Sequence, residues 1–321
     1  MKYTAVIRTL GKGGEKYQIL LDSLIQQTIQ PVDILVYIAE GYELPKETVG
    51  CEKYIYVKKG MVAQRALQYK EVTTEYCLFL DDDVYLPCDG VEKLFFFLKK
   101  YEADVISPDV FFNAERPAIS KLMMAVSGRM WPRYNDKKYG YKVLQTGGYS
   151  YNVKPSHGIY LSQTNAGPCF LCKKDVFLKI HFEDEVWLDQ SKYALGEDQV
   201  MFYKMYLLGF KQLTYFNSGI KHLDAGTTLQ NKDKAHNLIY ADLRFKVIFW
   251  HRFIFLPEKS FSKKVRGVIY IGYMLLFTLI VSLLKLRYDI LKLKWKAIND
   301  GVTFIKSKSY SKIPLIVKKI K

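Results

Sequence analysis

Cysteine and histidine are scarce in this chain, with five of each among 321 residues. Cys169 and Cys172 are spaced as a CxxC pair, but no second pair follows that would complete a structural zinc site. An odd number of cysteines also argues against a disulfide framework and favours a reducing compartment such as the cytosol. The first apolar run begins at Tyr3, which leaves no room for a targeting peptide, so we expect a cytoplasmic protein.

Acidic residues are almost missing from the last quarter of the chain. Residues 244–321 hold 18 Lys and Arg against 3 Asp and Glu, whereas residues 1–243 hold 30 against 29. A nearly neutral body with a basic tail argues against nucleic acid as the partner and indicates a tail that faces an anionic surface. We therefore predict a globular domain over 1–243 and a basic, helical region over 244–321.

Long apolar runs are also few. Residues 268–284 form one run of 17 residues without a charge, at the lower limit for crossing a bilayer. Lysine and arginine flank the run on both sides, and basic flanks prefer the cytoplasmic side of a membrane. We expect a hairpin or interfacial helix, with residues 253–298 touching the membrane surface. A single membrane span and an oligomer interface remain alternatives, and the oligomeric state is open.

The body of the chain shows a regular alternation of strand-like and helix-like segments. Strands are predicted at 3–9, 33–39, 53–57, 76–80, 103–107, 169–172, 211–215 and 219–222. Helices are predicted at 14–28, 61–70, 90–101, 197–208 and 234–252. This alternation predicts an α/β fold with a mostly parallel sheet flanked by helices. Residues 131–165 hold six tyrosines and predict an ordered loop, either a lid or a surface excursion packed by its own rings.

Three consecutive carboxylates, Asp81, Asp82 and Asp83, directly follow the apolar run 76–80. Oxygen-rich clusters of this kind suit Mg²⁺ or Mn²⁺, often shared with the phosphates of a substrate. In an α/β sheet, ligands also bind beyond the carboxyl ends of the strands. The triplet therefore predicts a metal and diphosphate site, with a solvated acidic turn as the alternative.

At this point the chain resembles the family 2 glycosyltransferases of the GT-A fold, over residues 3–223. The markers of the resemblance, in chain order, are VIRT (6–9), QTIQP (27–31), DILV (33–36), EG (40–41), AQRA (63–66), FLDDD (79–83), GED (196–198) and LGF (208–210). Their order makes the set specific, although each marker alone is weak.

The resemblance implies roles for the acidic triplet. Asp81 and Asp83 match the DxD pair, whose carboxylates hold Mn²⁺ or Mg²⁺ on the donor diphosphate. Asp82, between them, would face the sugar or the ribose. His222 lies where some enzymes of this fold supply a third metal ligand, and a structural histidine is the alternative.

The resemblance also implies contacts to a nucleotide. Glu40 matches the acidic position that touches the nucleobase, although the family more often has aspartate there. Arg65 matches a basic position that reaches the nucleotide, with a surface arginine as the alternative. Thr9 would contact the nucleotide through its hydroxyl or backbone.

Glu197 and Asp198 open the helix predicted at 197–208, and we assign catalysis to them, with Asp198 as the base. A carboxylate at a helix N-terminus is electrostatically favoured and can be aimed into a cleft. An inverting transfer needs one base to take the proton of the acceptor hydroxyl. Simple helix capping is the alternative for this pair. Trp187, shortly before it, could stack on an acceptor sugar or pack in the core.

These observations predict a glycosyltransferase at the cytoplasmic face of the cell membrane, acting in polysaccharide biosynthesis. Its donor would be a nucleotide-diphosphate sugar, with UDP favoured, and its acceptor a hydroxyl of a lipid-linked or cell-surface glycan. Transfer to a polyprenyl phosphate is one alternative. A membrane-tethered binding or scaffold protein with a degenerate site is another, and a nucleotidyltransferase is a weaker third.

Overall fold

The computed structural model describes residues 1–110, 117–134, 136–156, 158–224 and 232–319. Its strands are Tyr3–Thr9 (β1), Asp33–Ala39 (β2), Glu52–Val57 (β3), Tyr76–Asp81 (β4), Val84–Tyr85 (β5), Val105–Pro108 (β6), Met130–Arg133 (β7), Tyr139–Val143 (β8), Tyr149–Asn152 (β9), Ile159–Ser162 (β10), Cys169–Lys173 (β11), Gln212–Tyr215 (β12) and Lys221–His222 (β13). Its α-helices are Glu15–Ile25 (α1), Gly90–Lys100 (α2), Ala118–Val126 (α3), Lys174–Leu178 (α4), Glu197–Leu207 (α5), Lys232–Phe249 (α6), Phe261–Leu284 (α7), Tyr288–Ile305 (α8) and Lys308–Ser311 (α9). A 3₁₀-helix covers Phe182–Gln190, and a π-helical segment covers Trp250–Phe255.

Within the described residues, eleven strands form one sheet in the order β3-β2-β1-β4-β11-β6-β12-β10-β8-β9-β7. Six of its ten neighbouring pairs are parallel. The predicted fold class, a mostly parallel α/β sheet flanked by helices with a helical C-terminal extension, is confirmed. The central strands are buried along nearly their whole length because helices cover both faces.

The register between β1 and β4 places side chains from distant parts of the sequence next to each other. β1 pairs with β4 so that Arg8 lies beside Asp81 at their carboxyl ends. The small sheet of β5 and β13 pairs Val84 with His222 and so carries the histidine back to the acidic triplet. Parallel pairing therefore places chemistry from distant parts of the sequence at one edge.

Two predicted elements are wrong. Residues 61–70 form turns rather than a helix, because Asp189 accepts hydrogen bonds from the backbone of Val62 and Ala63, and Tyr69 adopts a left-handed φ of 47°. Residues 131–165 are not one loop but hold β8, β9, β10 and most of β7, which extend the sheet. Residues 135 and 157 of that segment lie outside the described residues.

The C-terminal helices share a core with the α/β part. Helix α6 runs without interruption through the predicted 243/244 boundary, which stays a prediction. Phe304 of α8 packs on Trp187, with ring centroids 6.2 Å apart, and Trp187 is only 2% exposed. Trp187 is therefore a core residue here and not a sugar platform.

A buried ion cluster joins the 3₁₀-helix to α5 and to the π-helical segment. Glu185 is fully buried and accepts hydrogen bonds from Lys204 (2.8 Å), from Trp187 (2.7 Å) and from Arg252 (2.8 and 2.9 Å). Burial opposes ionisation of Glu185, but the charges and hydrogen bonds of Lys204 and Arg252 outweigh it and lower its pKa. Three elements from separate parts of the chain thus meet at one carboxylate.

Candidate functional site

Two neighbouring cavities lie at the carboxyl edge of the central strands. The larger, of 780 Å³, is lined by all three residues of the acidic triplet and by several lysines: Lys12, Lys16, Lys59 and Lys192. The smaller, of 500 Å³, is lined by Tyr141, Tyr149 and Asp198. Arg8, Met61, Asp81 and His222 line both cavities. The two cavities therefore adjoin each other, and we call the part of the surface that these four residues form the shared wall.

The shared wall is built around Asp81. Arg8 donates to both carboxylate oxygens of Asp81, at 2.6 and 3.2 Å, and Arg65 donates to one of them at 3.1 Å. Burial disfavours the charged form of Asp81, but the two guanidinium groups outweigh it and lower its pKa. Asp81 is thus a partly buried, ionised carboxylate that is already neutralised by protein cations.

Glu197, at the start of α5, contacts the same two arginines that hold Asp81. It is 2% exposed, and its Oε1 lies 2.7 Å from Arg8 Nη1 and 2.8 Å from Arg65 Nη1. Burial raises its pKa, and the charge of Asp198 acts in the same direction against the two arginines. Glu197 therefore holds the two arginines in place and also lines the smaller cavity, and its assignment to catalysis stays a prediction.

Arg65 is buried and is not the surface arginine that was the alternative interpretation. Its side chain is 2% exposed, lines neither cavity, and also donates to the carbonyl oxygen of Gly167 at 3.1 Å. The guanidinium group contacts three carboxylates and a carbonyl, and its contact with a nucleotide stays a prediction. Arg65 thus joins the shared wall to the first turn of α5.

Asp82 faces the larger cavity and accepts a short hydrogen bond from Thr9. Burial raises the pKa of Asp82 to about 6, and the charges of Asp81 and Asp83 act in the same direction against the bond from Thr9. The hydroxyl of Thr9 also accepts from the backbone of Gly11 at 2.9 Å. Thr9 and Asp82, two of the residues predicted to contact the nucleotide sugar, therefore lie in the wall of the larger cavity.

Asp83 and His222 meet in the wall of the larger cavity. His222 Nε2 lies 3.0 Å from Asp83 Oδ2. Burial works against the imidazolium form, but the hydrogen bond and charge of Asp83, with Asp81 and Asp224 beyond, outweigh it and raise the pKa of His222. The structure therefore brings two of the predicted metal ligands, Asp83 and His222, into contact.

A divalent cation fits Asp83 and His222 better than Asp81. Oδ1 of Asp83 is buried and has no hydrogen-bond partner among the described residues. Asp81 is held by two arginines, and no group of three His, Cys, Asp or Glu in the described part of the chain is arranged to hold a metal. The described residues therefore do not arrange the predicted set of Asp81, Asp83 and His222 as a three-ligand site, and metal binding by Asp83 and His222 stays a prediction.

Asp198 stands at the start of α5 and faces the smaller cavity. Gly196 precedes the helix with a φ of 85°, and an added Cβ there would lie 2.2 Å from the ring of Phe245. The side chain of Asp198 is 36% exposed, and its Oδ1 lies 3.2 Å from Arg65 Nη1. Gly167 allows this position, since an added Cβ would lie 1.9 Å from the same oxygen. The carboxylate is therefore both oriented by an arginine and open to a ligand.

Glu40 is the one predicted site residue outside this arrangement. It is exposed at the end of β2 and lines neither cavity, so its contact with a nucleobase stays a prediction. The sequence reasoning gave no role to Arg8, which the structure places at the centre of the site. A buried arginine near the end of a mostly apolar strand needs a carboxylate partner. The acidic triplet 81–83 could have been recognised from the sequence as a candidate for that partner.

Comparisons with known proteins give structural similarities only. No family model matches the chain, and no curated protein matches it. The mannosyltransferase PcManGT from Pyrobaculum calidifontis, solved with GDP-Man and Mn²⁺, is 11% identical with a TM-score of 0.49, over 96% of this chain and 81% of its own.

GalNAc-T7, solved with UDP, GalNAc and Mn²⁺, is also 11% identical, with a TM-score of 0.47 over 85% of this chain. This chain spans 55% of the length of that one. Both are likenesses of the chain trace, and the chemistry of the two cavities is set by this chain's own side chains.

Proposed function

We propose that this protein is a metal-dependent glycosyltransferase. It moves a sugar, with inversion, from a nucleotide-diphosphate sugar to a hydroxyl of a lipid-linked or cell-surface glycan. The observation that carries the proposal is the pair of cavities that share the wall at Asp81. One is lined by the acidic triplet and lysines, and the other by tyrosines and the ligand-accessible carboxylate of Asp198.

The larger cavity suits the donor. Four lysines offer cations for a diphosphate, and Asp82 with Thr9 offers oxygen atoms for sugar or ribose hydroxyls. Asp83 and His222 would hold Mn²⁺ or Mg²⁺, with phosphate oxygens and water as further ligands. When bound, the ion offsets negative charge that develops on the departing nucleotide diphosphate.

The smaller cavity suits the acceptor. Tyr141 and Tyr149 present aromatic surface of the kind that packs on sugar rings, and Tyr141 is fixed by a 2.6 Å hydrogen bond to Asp109. Asp198 takes the proton of the acceptor hydroxyl while that oxygen bonds to the anomeric carbon. The bond between the anomeric carbon and the diphosphate breaks, and the nucleotide diphosphate leaves toward the larger cavity.

Gly167→Ala tests the placement of this base. The added Cβ would lie 1.9 Å from Asp198 Oδ1, so the carboxylate must move, and we expect kcat to fall about 10²-fold. Donor binding should stay unchanged, as measured by titration with nucleotide sugar. Gly158→Ala is the matched control, because its Cβ would meet only an ordinary contact at 3.5 Å. Equal loss of activity in both variants would contradict the placement.

Turnover of a panel of UDP-, GDP- and dTDP-sugars by detergent-solubilised protein with Mn²⁺ tests the reaction class. We expect release of one nucleotide, and Asp83→Ala should weaken Mn²⁺ binding in the presence of that nucleotide by at least about tenfold. Asp175→Ala, at an aspartate that is 60% exposed, is the matched control. No turnover with any donor, even with membrane lipid extract as the acceptor source, would favour a binding protein instead.

Membrane association completes the proposal. Helix α7 is the one helix in the described part of the chain that is long and apolar enough to cross a membrane. The basic tail and a cytosolic nucleotide sugar support a place at the cytoplasmic face of the cell membrane. A lipid-linked acceptor follows from that place and not from a sequence motif.

A further inference from the structure

Helix α3 is an apolar element that the described residues leave at least partly exposed along its whole length. None of its nine residues is buried, and Ile119 and Leu122 are 67% and 57% exposed. Trp131 and Tyr134 follow it and are 53% and 67% exposed. Apolar and aromatic side chains in contiguous exposed positions mark an interaction surface rather than a solvated helix.

The apolar surface of α3 continues into α7. Tyr273 of α7 donates a 3.0 Å hydrogen bond to the carbonyl oxygen of Val126, the last residue of α3. Ile269 and Leu276 of α7 are 61% and 57% exposed on the side away from the protein. Two helices that lie far apart in the sequence therefore form one apolar face, which we name the α3–α7 face.

Helix α7 lies along the protein rather than projecting from it. One stripe of its residues is buried, and the stripe runs through most of the helix: Gly267, Ile271, Met274, Thr278 and Ser282. Lys294 of α8 donates to the carbonyl oxygen of Thr278 at 3.0 Å and to the hydroxyl of Ser282 at 2.7 Å. A helix packed on its own protein along one side and apolar on the other has the geometry of an interfacial helix.

Charge complementarity identifies what covers this face. Lysine and arginine lie at both ends of the uncharged part of α7: Lys263, Lys264, Arg266, Lys285 and Arg287. Aromatic residues such as Trp131 and Tyr134 are enriched at the headgroup level of membranes. We propose that the α3–α7 face binds the surface of an anionic lipid bilayer, and that α3 is a membrane-contacting element in its own right.

This arrangement brings the acceptor cavity close to the bilayer. Tyr149 of the smaller cavity lies on β9, next to β7, and its hydroxyl is 3.4 Å from Met130 Sδ. β7 follows α3 after a short turn and pairs with β9, which carries Tyr149. Neighbouring strands lie roughly 4.8 Å apart, so this part of the cavity wall is one strand away from the α3–α7 face. A lipid-linked acceptor fits this placement, and that inference rests on the proposed function. The contact between the α3–α7 face and the membrane is argued from exposure and charge and does not rest on the proposed activity.

Flotation of the full-length protein with phosphatidylcholine vesicles, with and without phosphatidylglycerol, tests the face. We expect binding that requires the anionic lipid, and Ile119→Ser with Leu122→Ser should weaken it about tenfold by removing apolar contact. The matched control, Val32→Ser with Leu44→Ser, changes two side chains that are 51% and 48% exposed elsewhere, and should float like the unchanged protein.

Two outcomes would overturn the proposal. In the first, the α3 double variant floats as well as the unchanged protein. In the second, the unchanged protein does not float and forms a dimer that the α3 double variant dissociates, so that a second copy covers the face. Nucleotide-sugar titration of the same proteins separates these results from failure of the proposed function, which would abolish donor binding in every variant and leave flotation intact.

Discussion

Asparagine in place of Asp198 is expected to lower kcat for transfer to a hydroxyl acceptor by about 10²–10⁴-fold. The amide keeps the shape of the side chain but cannot take the proton of the acceptor. Asp198 lines only the smaller cavity, so the dissociation constant of the nucleotide sugar should stay the same. Initial rates and donor titration on the same preparation measure both quantities.

Asp175→Asn provides the comparison for this change, because Asp175 is 60% exposed on α4 and lines neither cavity. It should keep full activity. Full activity of Asp198→Asn itself would contradict the base assignment. That result would favour an acceptor that is already ionised, such as a polyprenyl phosphate, which needs no base.

Glu185→Ala is expected to lower the free energy of unfolding by about 3–5 kcal/mol. The change removes the one carboxylate that the described residues place against Arg252, which is 2% exposed, whereas Lys204 keeps Asp184 at 3.3 Å. An uncompensated buried charge costs far more than the intact cluster contributes. Thermal or denaturant unfolding in detergent measures the difference.

Glu183→Ala is the control for this prediction, since Glu183 lies on the same 3₁₀-helix and is 47% exposed. A surface change of this kind should stay within about 0.5 kcal/mol. Equal unfolding midpoints for the two variants would show that the Glu185 cluster does not hold the fold together.

Local patterns were enough to predict the central elements. The apolar runs of β1, β2 and β4 follow the strand signal, and each observed boundary lies within one residue of its prediction. The positions of Asp83 and Asp198 follow as well, because both come directly at the end or the start of a well-defined element. These features depend on residues that are close together in the sequence, so they can be predicted from the sequence alone.

The features that could not be predicted depend mainly on contacts between residues that are far apart in the sequence. Arg65 looked like a surface arginine or a nucleotide ligand, because its carboxylate partners are 16, 132 and 133 positions away. The helix expected at 61–70 gave way to turns held by Asp189, more than a hundred positions later. Short strands rich in tyrosine, such as β8 and β9, carry too little periodicity to be distinguished from an ordered loop.

The contact between α8 and the 3₁₀-helix has a consequence for how the protein is made. Phe304 packs on Trp187 and under the guanidinium of Arg244, and near the end of the described chain Lys319 donates a 2.9 Å hydrogen bond to the carbonyl oxygen of Leu207. Leu207 ends α5, the helix that begins with Glu197 and Asp198. A ribosome releases residues in order, so helix α5 cannot complete its packing until residue 319 has been synthesised. The proposed base on α5 would therefore reach its final packing late in synthesis, together with the C-terminal helices that we propose to contact the membrane.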